Sequence, residues 1–187
     1  MSEPSALHSR RLFFALWPAD DLRARIESDT GALVERAGGR RIPARNLHVT
    51  LLFLGDVPAP RIDAVAAAAA ETSGNAFQIL FDQVETWPGS NVLCLTSQHP
   101  PAAFALLAEA LRSRLTAQSF EFRKQVFRPH ITLARDLPRM RSTESIPPLH
   151  WPVCDFVLVE SNMTRSGSRY SVLSSWPLAS APAPETL

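Results

Sequence analysis

LHVTLLFLG at residues 47–55 and RPHITLAR at residues 128–135 are the two stretches that say most about the fold. Each is a short apolar run of the kind that forms a buried β-strand. Each also carries histidine, an apolar residue, threonine and leucine in the same order, with His48 in the first copy and His130 in the second. The repeated pattern predicts a weak internal duplication, with one such strand in each half of the molecule.

The spacing within each copy determines which side chains share a face. Residues i and i+2 of a strand point to the same side, so His48 is expected beside Thr50, and His130 beside Thr132. The apolar residues between them point the other way, into a core. Each motif therefore places one imidazole and one hydroxyl side by side on a stiff, half-buried strand.

The remainder of the chain predicts strands and helices in an irregular order. Strands are indicated at residues 11–18, 77–88, 91–97, 153–162 and 168–178, and helices at residues 20–37, 61–74 and 102–115. Because the two kinds of element do not alternate regularly, the pattern favours an α+β fold over a doubly wound parallel sheet.

No long linker divides the chain. We expect a single domain over residues 11–178, flanked by flexible tails at residues 1–10 and 179–187. The stretch DLPRMRSTESIPP at residues 136–148 is the most loop-like part of the domain, and it is predicted to be a mobile loop.

Composition excludes few functions. Of the 187 residues, 45% are hydrophobic and 20% are charged, as in an ordinary globular protein, and the net charge of +1 gives no strong field for nucleic acid.

The N-terminal stretch lacks the apolar core of a signal peptide, and no apolar run is long enough to span a bilayer. The spacing between Cys94 and Cys154 matches no redox or metal-binding motif. We therefore expect a reduced cytoplasmic protein without a membrane partner.

Two imidazoles and two hydroxyls together suit phosphoryl displacement. One histidine takes a proton from the nucleophile while the other gives a proton to the leaving oxygen. Because imidazole titrates near neutral pH, both roles are expected without large pKa shifts. The threonine hydroxyls can hydrogen-bond the phosphate oxygens that gain charge in the transition state.

A metal site is the competing use of two histidines. Catalytic zinc normally has three protein ligands, and no HExxH motif or cysteine pair supplies a third. The sequence therefore favours a site without a metal.

These residues resemble the 2H phosphoesterase superfamily, and more closely its RNA 2′,3′-cyclic phosphodiesterases, formerly named 2′-5′ RNA ligases. The resemblance extends from RLFFALWP at residues 11–18, through both motifs, to LVESNMTRSGSRYSVLSSWPL at residues 158–178. It implies a bilobal fold of two antiparallel-sheet lobes with helices outside, related by a pseudo-twofold around a central cleft that holds both motifs.

The resemblance also implies an activity and residue roles. The implied reaction is hydrolysis of an RNA or nucleoside 2′,3′-cyclic phosphate to a 2′-phosphomonoester, without a metal or other cofactor. By the same resemblance His48 protonates the leaving 3′ oxygen and His130 activates water. Thr50 and Thr132 hold the phosphate.

The resemblance indicates three further site residues, Arg135, Arg128 and Tyr170. The aromatic side chain of Phe53 makes it a fourth candidate. Arg135 falls five positions after His130, where the family carries a phosphate-binding arginine, although a regular strand would turn it to the opposite face, so a twist or strand end is required. Arg128 and Tyr170 are candidates for the rim of the site. Phe53 has a ring that could stack a base, but the alternation from the first motif assigns it to the core.

Other uses of the motifs remain open. A phosphodiesterase or reversible ligase acting on 2′-5′-linked oligonucleotides would use the same two histidines, and a non-catalytic RNA-binding module would need neither. ATP-dependent ligation lacks its signals, because the only lysine, Lys124, lies outside a nucleophilic-lysine motif and no phosphate-binding loop is present. The expected partners are RNA ends or small nucleotides with a 2′,3′-cyclic phosphate, bound by a monomer with no obligatory protein partner.

Overall fold

The computed structural model describes residues 9–122, 128–138, 142–164 and 167–180. Three helices and nine strands form there. The helices are α1 (Asp20–Ala37), α2 (Ile62–Ala70) and α3 (Ala102–Ala117). The strands are β1 (Ser9–Leu16), β2 (Arg40–Arg41), β3 (Val49–Pro58), β4 (Phe77–Trp87), β5 (Val92–Thr96), β6 (His130–Arg135), β7 (Thr143–Val153), β8 (Asp155–Thr164) and β9 (Gly167–Pro177).

The strands form one antiparallel sheet whose order is β7-β4-β5-β6-β3-β1-β8-β9, with β2 paired to β6 beside this path. It divides into two four-stranded lobes, β7-β4-β5-β6 and β3-β1-β8-β9. The lobes join between β3 and β6, where Val49 pairs with Ile131. This arrangement confirms the expected α+β fold of two antiparallel lobes.

The internal duplication has a structural counterpart. In one lobe β1 leads through α1 to β3, and in the other β5 leads through α3 to β6. The two strands that carry the histidine motifs are therefore equivalent, and they are neighbours at the centre of the sheet. A pseudo-twofold axis passes between them.

One large hydrophobic core runs beneath both lobes, and Phe13, Ala15, Val157 and Val159 of β1 and β8 form a second, smaller cluster. The large core includes Val49 and Ile131, both fully buried, and the inward faces of all three helices. α1 ends as its sequence predicts, because Gly38 adopts φ of 71°, a conformation that glycine tolerates best. With the helices packed on the core side, the opposite face of the central strands is left for a site.

The predicted mobile loop at residues 136–148 is wrong for its second half. Thr143–Val153 forms β7, which pairs with β4 alone and so lies at the edge of the sheet. Proline lacks a backbone N–H and is tolerated in edge strands, where one side needs no partner. Pro147, Pro148 and Pro152 therefore fit in β7, although such residues normally indicate a loop.

The ordered structure extends slightly beyond the expected domain limits. Ser9 and Arg10 already belong to β1, and Ala179 forms a bridge with Asn75. Residues 1–8 and 181–187, the rest of the two expected tails, lie outside the described residues. No helix in the described part of the chain is long and apolar enough to cross a membrane.

Candidate active site

The pairing of Val49 with Ile131 fixes the geometry of the site. Both side chains are buried in the core, so their neighbours in sequence emerge on the other face. Antiparallel register around this pair sets His48 across from Thr132, and His130 across from Thr50. The two motifs thus lie side by side in one continuous sheet and present two imidazoles and two hydroxyls on a common face.

Both imidazoles are oriented in the same way. His48 Nδ1 lies 2.7 Å from the carbonyl oxygen of Asn46, and His130 Nδ1 lies 2.9 Å from that of Arg128. A carbonyl only accepts, so Nδ1 carries the hydrogen in each ring and donates it. The neutral ring then has its lone pair on Nε2, which is the atom left to exchange protons with a substrate.

Aromatic rings pack around both histidines. His48 stacks on Trp17, with 5.7 Å between ring centroids and 24° between planes. Phe13 and Tyr170 also contact it, at centroid distances of 5.0 and 5.2 Å. His130 contacts Trp87 at 4.5 Å. These contacts hold the imidazoles in place and remove water from one side of each ring.

This environment changes the protonation of both groups. Burial is the main cause that lowers the pKa of His48 to about 4, with further lowering from the nearby charges of His130, Arg135 and Arg23. Burial also lowers the pKa of His130, assisted by Arg128 and Arg135. The expectation that neither group needs a large pKa shift is therefore wrong for His48 in the free protein.

A β-bulge places Arg135 on the active face. In the pairing with β5, Leu93 matches Ala134 and Cys94 matches Thr132, so Leu133 is an extra residue in β6. Leu133 and Ala134 are both buried, and the alternation then resumes one residue out of phase. The irregularity that the position of Arg135 requires is this bulge, which increases the local twist, and Arg135 is also the last residue of β6.

The first motif has the same irregularity at the same place. Phe14 pairs with Leu52 and Ala15 pairs with Thr50, so Leu51 is the extra residue of β3. Phe53 is consequently turned to the active face and is 46% exposed. Its assignment to the core is wrong, because the alternation from the first motif does not continue through the bulge.

Two adjoining clefts meet at His48. The first, of about 680 Å³, contains His48 and Thr132 and is lined by five arginines: Arg40, Arg41, Arg45, Arg135 and Arg169. We call it the arginine cleft. The second, of about 460 Å³, contains His48 and Thr50 together with Phe53, Arg11 and Met163, and we call it the Phe53 cleft. Tyr170 and Arg135 border both clefts.

Most of these arginines are available for an anion. Arg40 pairs with the exposed Asp136 at 3.2 Å, and Arg41 approaches Glu35 at 3.8 Å, both weak surface contacts. Within the described ranges, Arg45 and Arg169 form no ion pair, and no acidic residue lines the arginine cleft. The cleft therefore attracts negative charge although the whole chain is nearly neutral.

The remaining sequence candidates have different positions. Tyr170 lies at the site, as its role at the rim requires. Arg128 forms an ion pair with Glu85, lies over the Trp87 ring and borders neither of the two clefts. Its carbonyl, rather than its guanidinium, contacts His130. Lys124 lies outside the described residues.

The sequence alone did not indicate Trp17, Trp87, Arg11, Arg45 or Arg169. Arg45 lies three residues before His48 and the other four lie farther from the motifs in sequence, and nothing in their local pattern distinguishes them from surface or core residues. Among the described residues, no group of three or more His, Cys, Asp or Glu side chains lies close enough to hold a metal ion.

Comparisons with known proteins match the chain to members of one family. A family model described as the 2′-5′ RNA ligase superfamily matches residues 18–165. The RNA 2′,3′-cyclic phosphodiesterase of Escherichia coli K12 is 34% identical over 95% of this chain and 99% of its own length. The protein of the same name from Archaeoglobus fulgidus is 28% identical over 87% of this chain and 97% of its own length.

Solved structures agree. The crystal structure of Escherichia coli LigT complexed with 3′-AMP superimposes with a TM-score of 0.81 and 32% identity, over 91% of this chain and 98% of that chain. The apo form of LigT gives a TM-score of 0.81 at 34% identity, over 92% of this chain and 99% of the other.

Proposed function

The chain belongs to the 2′-5′ RNA ligase superfamily, the 2H phosphoesterases, and from this membership we propose that it hydrolyses 2′,3′-cyclic phosphates of RNA or nucleosides to 2′-phosphomonoesters. The observation that carries the proposal is the pairing of Val49 with Ile131, which brings both histidine motifs to one face. Pure binding does not require two titrating groups beside two hydroxyls.

The proposed reaction breaks one P–O bond and forms another. His130 Nε2 takes a proton from water as the water oxygen attacks phosphorus. The bond from phosphorus to the 3′ oxygen breaks, and His48 gives its proton to that oxygen. The products are a 2′-phosphomonoester and a free 3′ hydroxyl, and a proton exchange with solvent returns both rings to their starting states.

The low pKa of His48 fits this role once substrate is present. In the free protein the imidazole is neutral at physiological pH, since its pKa is about 4. A cyclic phosphate diester carries one negative charge, and a nearby opposite charge favours the protonated ring. Substrate binding therefore creates the acid, so His48 becomes charged mainly when a phosphate lies beside it.

We assign three groups to hold the phosphate. The hydroxyls of Thr50 and Thr132 lie on the same face as the imidazoles, and the Arg135 guanidinium borders both clefts at His48. Hydroxyls and a guanidinium donate hydrogen bonds to the non-bridging oxygens, whose charge grows as water attacks. A metal is not needed for this charge stabilisation.

The two clefts suggest how the rest of the substrate binds. The Phe53 ring is exposed beside His48 and Thr50, with the Arg11 guanidinium 4.9 Å from its centroid, so we assign it the nucleobase next to the cyclic phosphate. The arginine cleft runs from the same histidine, and we assign it the phosphates of the preceding nucleotides. This arrangement accepts RNA ends as well as mononucleotides.

Replacing Phe53 with alanine tests the assignment of the base. We expect KM for adenosine 2′,3′-cyclic phosphate to rise about tenfold, because stacking on an aromatic ring contributes on the order of 1–3 kcal/mol per base. Phe53→Trp should restore the wild-type KM. Initial rates measured over a range of substrate concentrations give both constants.

Two controls keep this prediction specific. Leu106→Ala removes a more exposed apolar side chain, 70% exposed on α3, and should leave KM unchanged. A methyl riboside 2,3-cyclic phosphate, which has no base, should be hydrolysed equally well by wild type and Phe53→Ala. An unchanged KM for the nucleotide in Phe53→Ala would remove the base from this cleft.

The proposed activity itself is tested with a substrate panel. Wild-type protein is incubated with adenosine 2′,3′-cyclic phosphate, an RNA oligonucleotide ending in a 2′,3′-cyclic phosphate, adenosine 3′,5′-cyclic phosphate and a 2′-5′-linked diadenylate. We expect turnover of the first two alone. Cleavage of the 2′-5′ linkage would instead favour the alternative phosphodiesterase, and RNA binding without any turnover would favour a binding module.

A further inference from the structure

Arg23 is a charged side chain that is largely buried. It lies on α1 and is only 9% exposed. Its Nη1 donates to Asp20 Oδ1 at 2.7 Å, but the Asp20 side chain is almost fully exposed. Its Nε and Nη2 are buried without a hydrogen-bond partner among the described residues. A buried, weakly paired charge lowers stability, so its presence calls for a functional reason.

The surroundings of Arg23 connect it to the site. Its Cζ lies 5.1 Å from the centroid of the Trp17 ring, and the same ring stacks on His48. Trp17 follows β1 directly, and Arg23 lies in the first turns of the helix that comes next. The Arg23 guanidinium therefore packs on the Trp17 indole, which in turn packs on the His48 imidazole.

We propose that Arg23 is a positioning residue that acts on His48 through Trp17. Its guanidinium holds the indole against the imidazole, and its fixed positive charge adds to the burial that keeps that imidazole neutral until an anion enters the site. The proposal rests on the proposed two-histidine hydrolysis, since it explains how the acid is kept without its proton in the absence of substrate.

A second set of contacts shows that the two histidines are treated differently. Arg128 lies over Trp87, with its Cζ 5.5 Å from the ring centroid, and Trp87 contacts His130. Arg128, however, is paired with Glu85, whose side chain is only 16% exposed and also accepts a hydrogen bond from Thr96. The Glu85 carboxylate offsets the charge of Arg128 at His130, whereas within the described ranges the carboxylate paired with Arg23 is that of the exposed Asp20.

The consequence is a difference in proton affinity between the two imidazoles. Glu85 raises the pKa of His130 against the lowering by burial, and Arg23 adds to the lowering at His48. In the free protein this difference leaves His130 the more readily protonated ring, and the proposed acid role of His48 depends on the charge of the bound phosphate. Arg23 is therefore part of what makes the two motifs unequal, although their backbones are equivalent.

Other charges also act on His48, and the test must separate them from Arg23. The charged and titratable groups that face or border its position are His130 and Arg135 from β6, Tyr170 and Arg169 from β9, Arg11 from β1, Arg40 and Arg41 from β2, Arg45 before β3, and Arg23 from α1. Of these, His130 and Arg23 line neither of the two clefts, but His130 is itself a histidine of the motif pair, which leaves Arg23 as the one charge outside the site residues. Its replacement therefore leaves the substrate-contacting groups in place.

Arg23→Met is the informative variant, because it keeps an apolar stem against Trp17 and removes the charge. The pKa of His48 in the free protein is measured by NMR titration of the imidazole, with His48→Gln to assign its signal. We expect Arg23→Met to raise that pKa by about half a pH unit or more. We expect kcat for adenosine 2′,3′-cyclic phosphate to fall about tenfold with KM within about twofold, because misplacing a reacting group lowers the rate of the chemical step.

Two further variants complete the test. Arg25→Met removes an exposed arginine of the same helix, paired with Asp29, and should change neither value. Arg23→Lys keeps the charge and should return the His48 pKa to its wild-type value. Arg23→Gln serves in place of Arg23→Met if the latter does not fold.

The outcomes are distinct. A folded Arg23→Met protein with the wild-type His48 pKa and kcat would overturn the proposal. A kcat loss without a change of pKa, unrescued by lysine, would also overturn it, since a merely structural role produces that result. If the wild type fails to hydrolyse cyclic phosphates, the proposed function fails, while the NMR titration still decides the effect of Arg23 on His48.

Discussion

His48→Ala and His130→Ala are each expected to lower kcat/KM for a nucleoside 2′,3′-cyclic phosphate by about 10²-fold or more, the usual contribution of a general acid or base. Each variant leaves one imidazole, two hydroxyls and Arg135 in place, so binding should be retained and kcat should carry most of the loss. Initial rates at saturating and limiting substrate separate the two constants.

His150→Ala is the matched control for both variants. His150 is exposed on β7 and faces Gln78 at 3.2 Å, away from both clefts, so its loss should leave kcat/KM unchanged. Thermal unfolding should show that all three proteins are folded, because His48 and His130 lie outside the main core. Near wild-type activity in a folded His48→Ala or His130→Ala protein would exclude the two-histidine mechanism.

Arg135→Ala should produce the next largest effect, a decrease in kcat/KM of about 10²-fold. Removing one donor from a developing oxyanion typically costs this much, and Arg135 supplies a charge as well as a hydrogen bond. Arg135→Lys should recover only part of the loss, since an ammonium cannot form the bidentate contact of a guanidinium. The comparison uses the same initial-rate assay.

The control for Arg135 is Arg36→Ala. Arg36 is an exposed arginine of α1 that pairs with Glu144 and borders neither cleft. Arg36→Ala should leave kcat/KM unchanged, which separates the effect of the Arg135 guanidinium from a general loss of positive charge. A wild-type value in Arg135→Ala would mean that the bulge in β6 turns the side chain toward the cleft without giving it a part in catalysis.

Much of the fold could be predicted because its signals are local. Alternation identified both motif strands, helical periodicity identified α1 and α3, and the repeated histidine pattern indicated the duplication. The family resemblance supplied the pairing of the lobes, which no local pattern contains. β7 was missed because its prolines normally indicate loops, and only its place at the sheet edge permits them.

Alternation alone could not predict the faces of Phe53 and Arg135, although the family resemblance assigns Arg135 to the phosphate. Each lies beyond a bulge, and the extra residues, Leu51 and Leu133, are ordinary core leucines that carry no bulge signal. Because side chains alternate strictly, one extra residue reverses every later assignment in the strand. The rule that correctly placed the histidines therefore misplaced the residue five positions after each.

The protonation states of the two histidines also could not be predicted from the sequence. Burial is the main cause that lowers the pKa of His48, and the rings that pack on it come from β1, from Trp17 just after β1 and from β9, which are distant along the chain. A residue type gives only the intrinsic value near neutrality. The tertiary structure decides how far each imidazole departs from it.

The most direct test of the account is the pH dependence of kcat/KM for adenosine 2′,3′-cyclic phosphate, measured with EDTA present. We predict a bell whose limbs belong to the coupled pair of histidines and whose optimum falls between about pH 4 and pH 6.5, since burial lowers both pKa values below the ordinary 6.5. The kcat profile should lie at higher pH, because the bound phosphate favours the charged rings. A rate governed by a single group, or one that vanishes with EDTA and returns with zinc, would contradict the account.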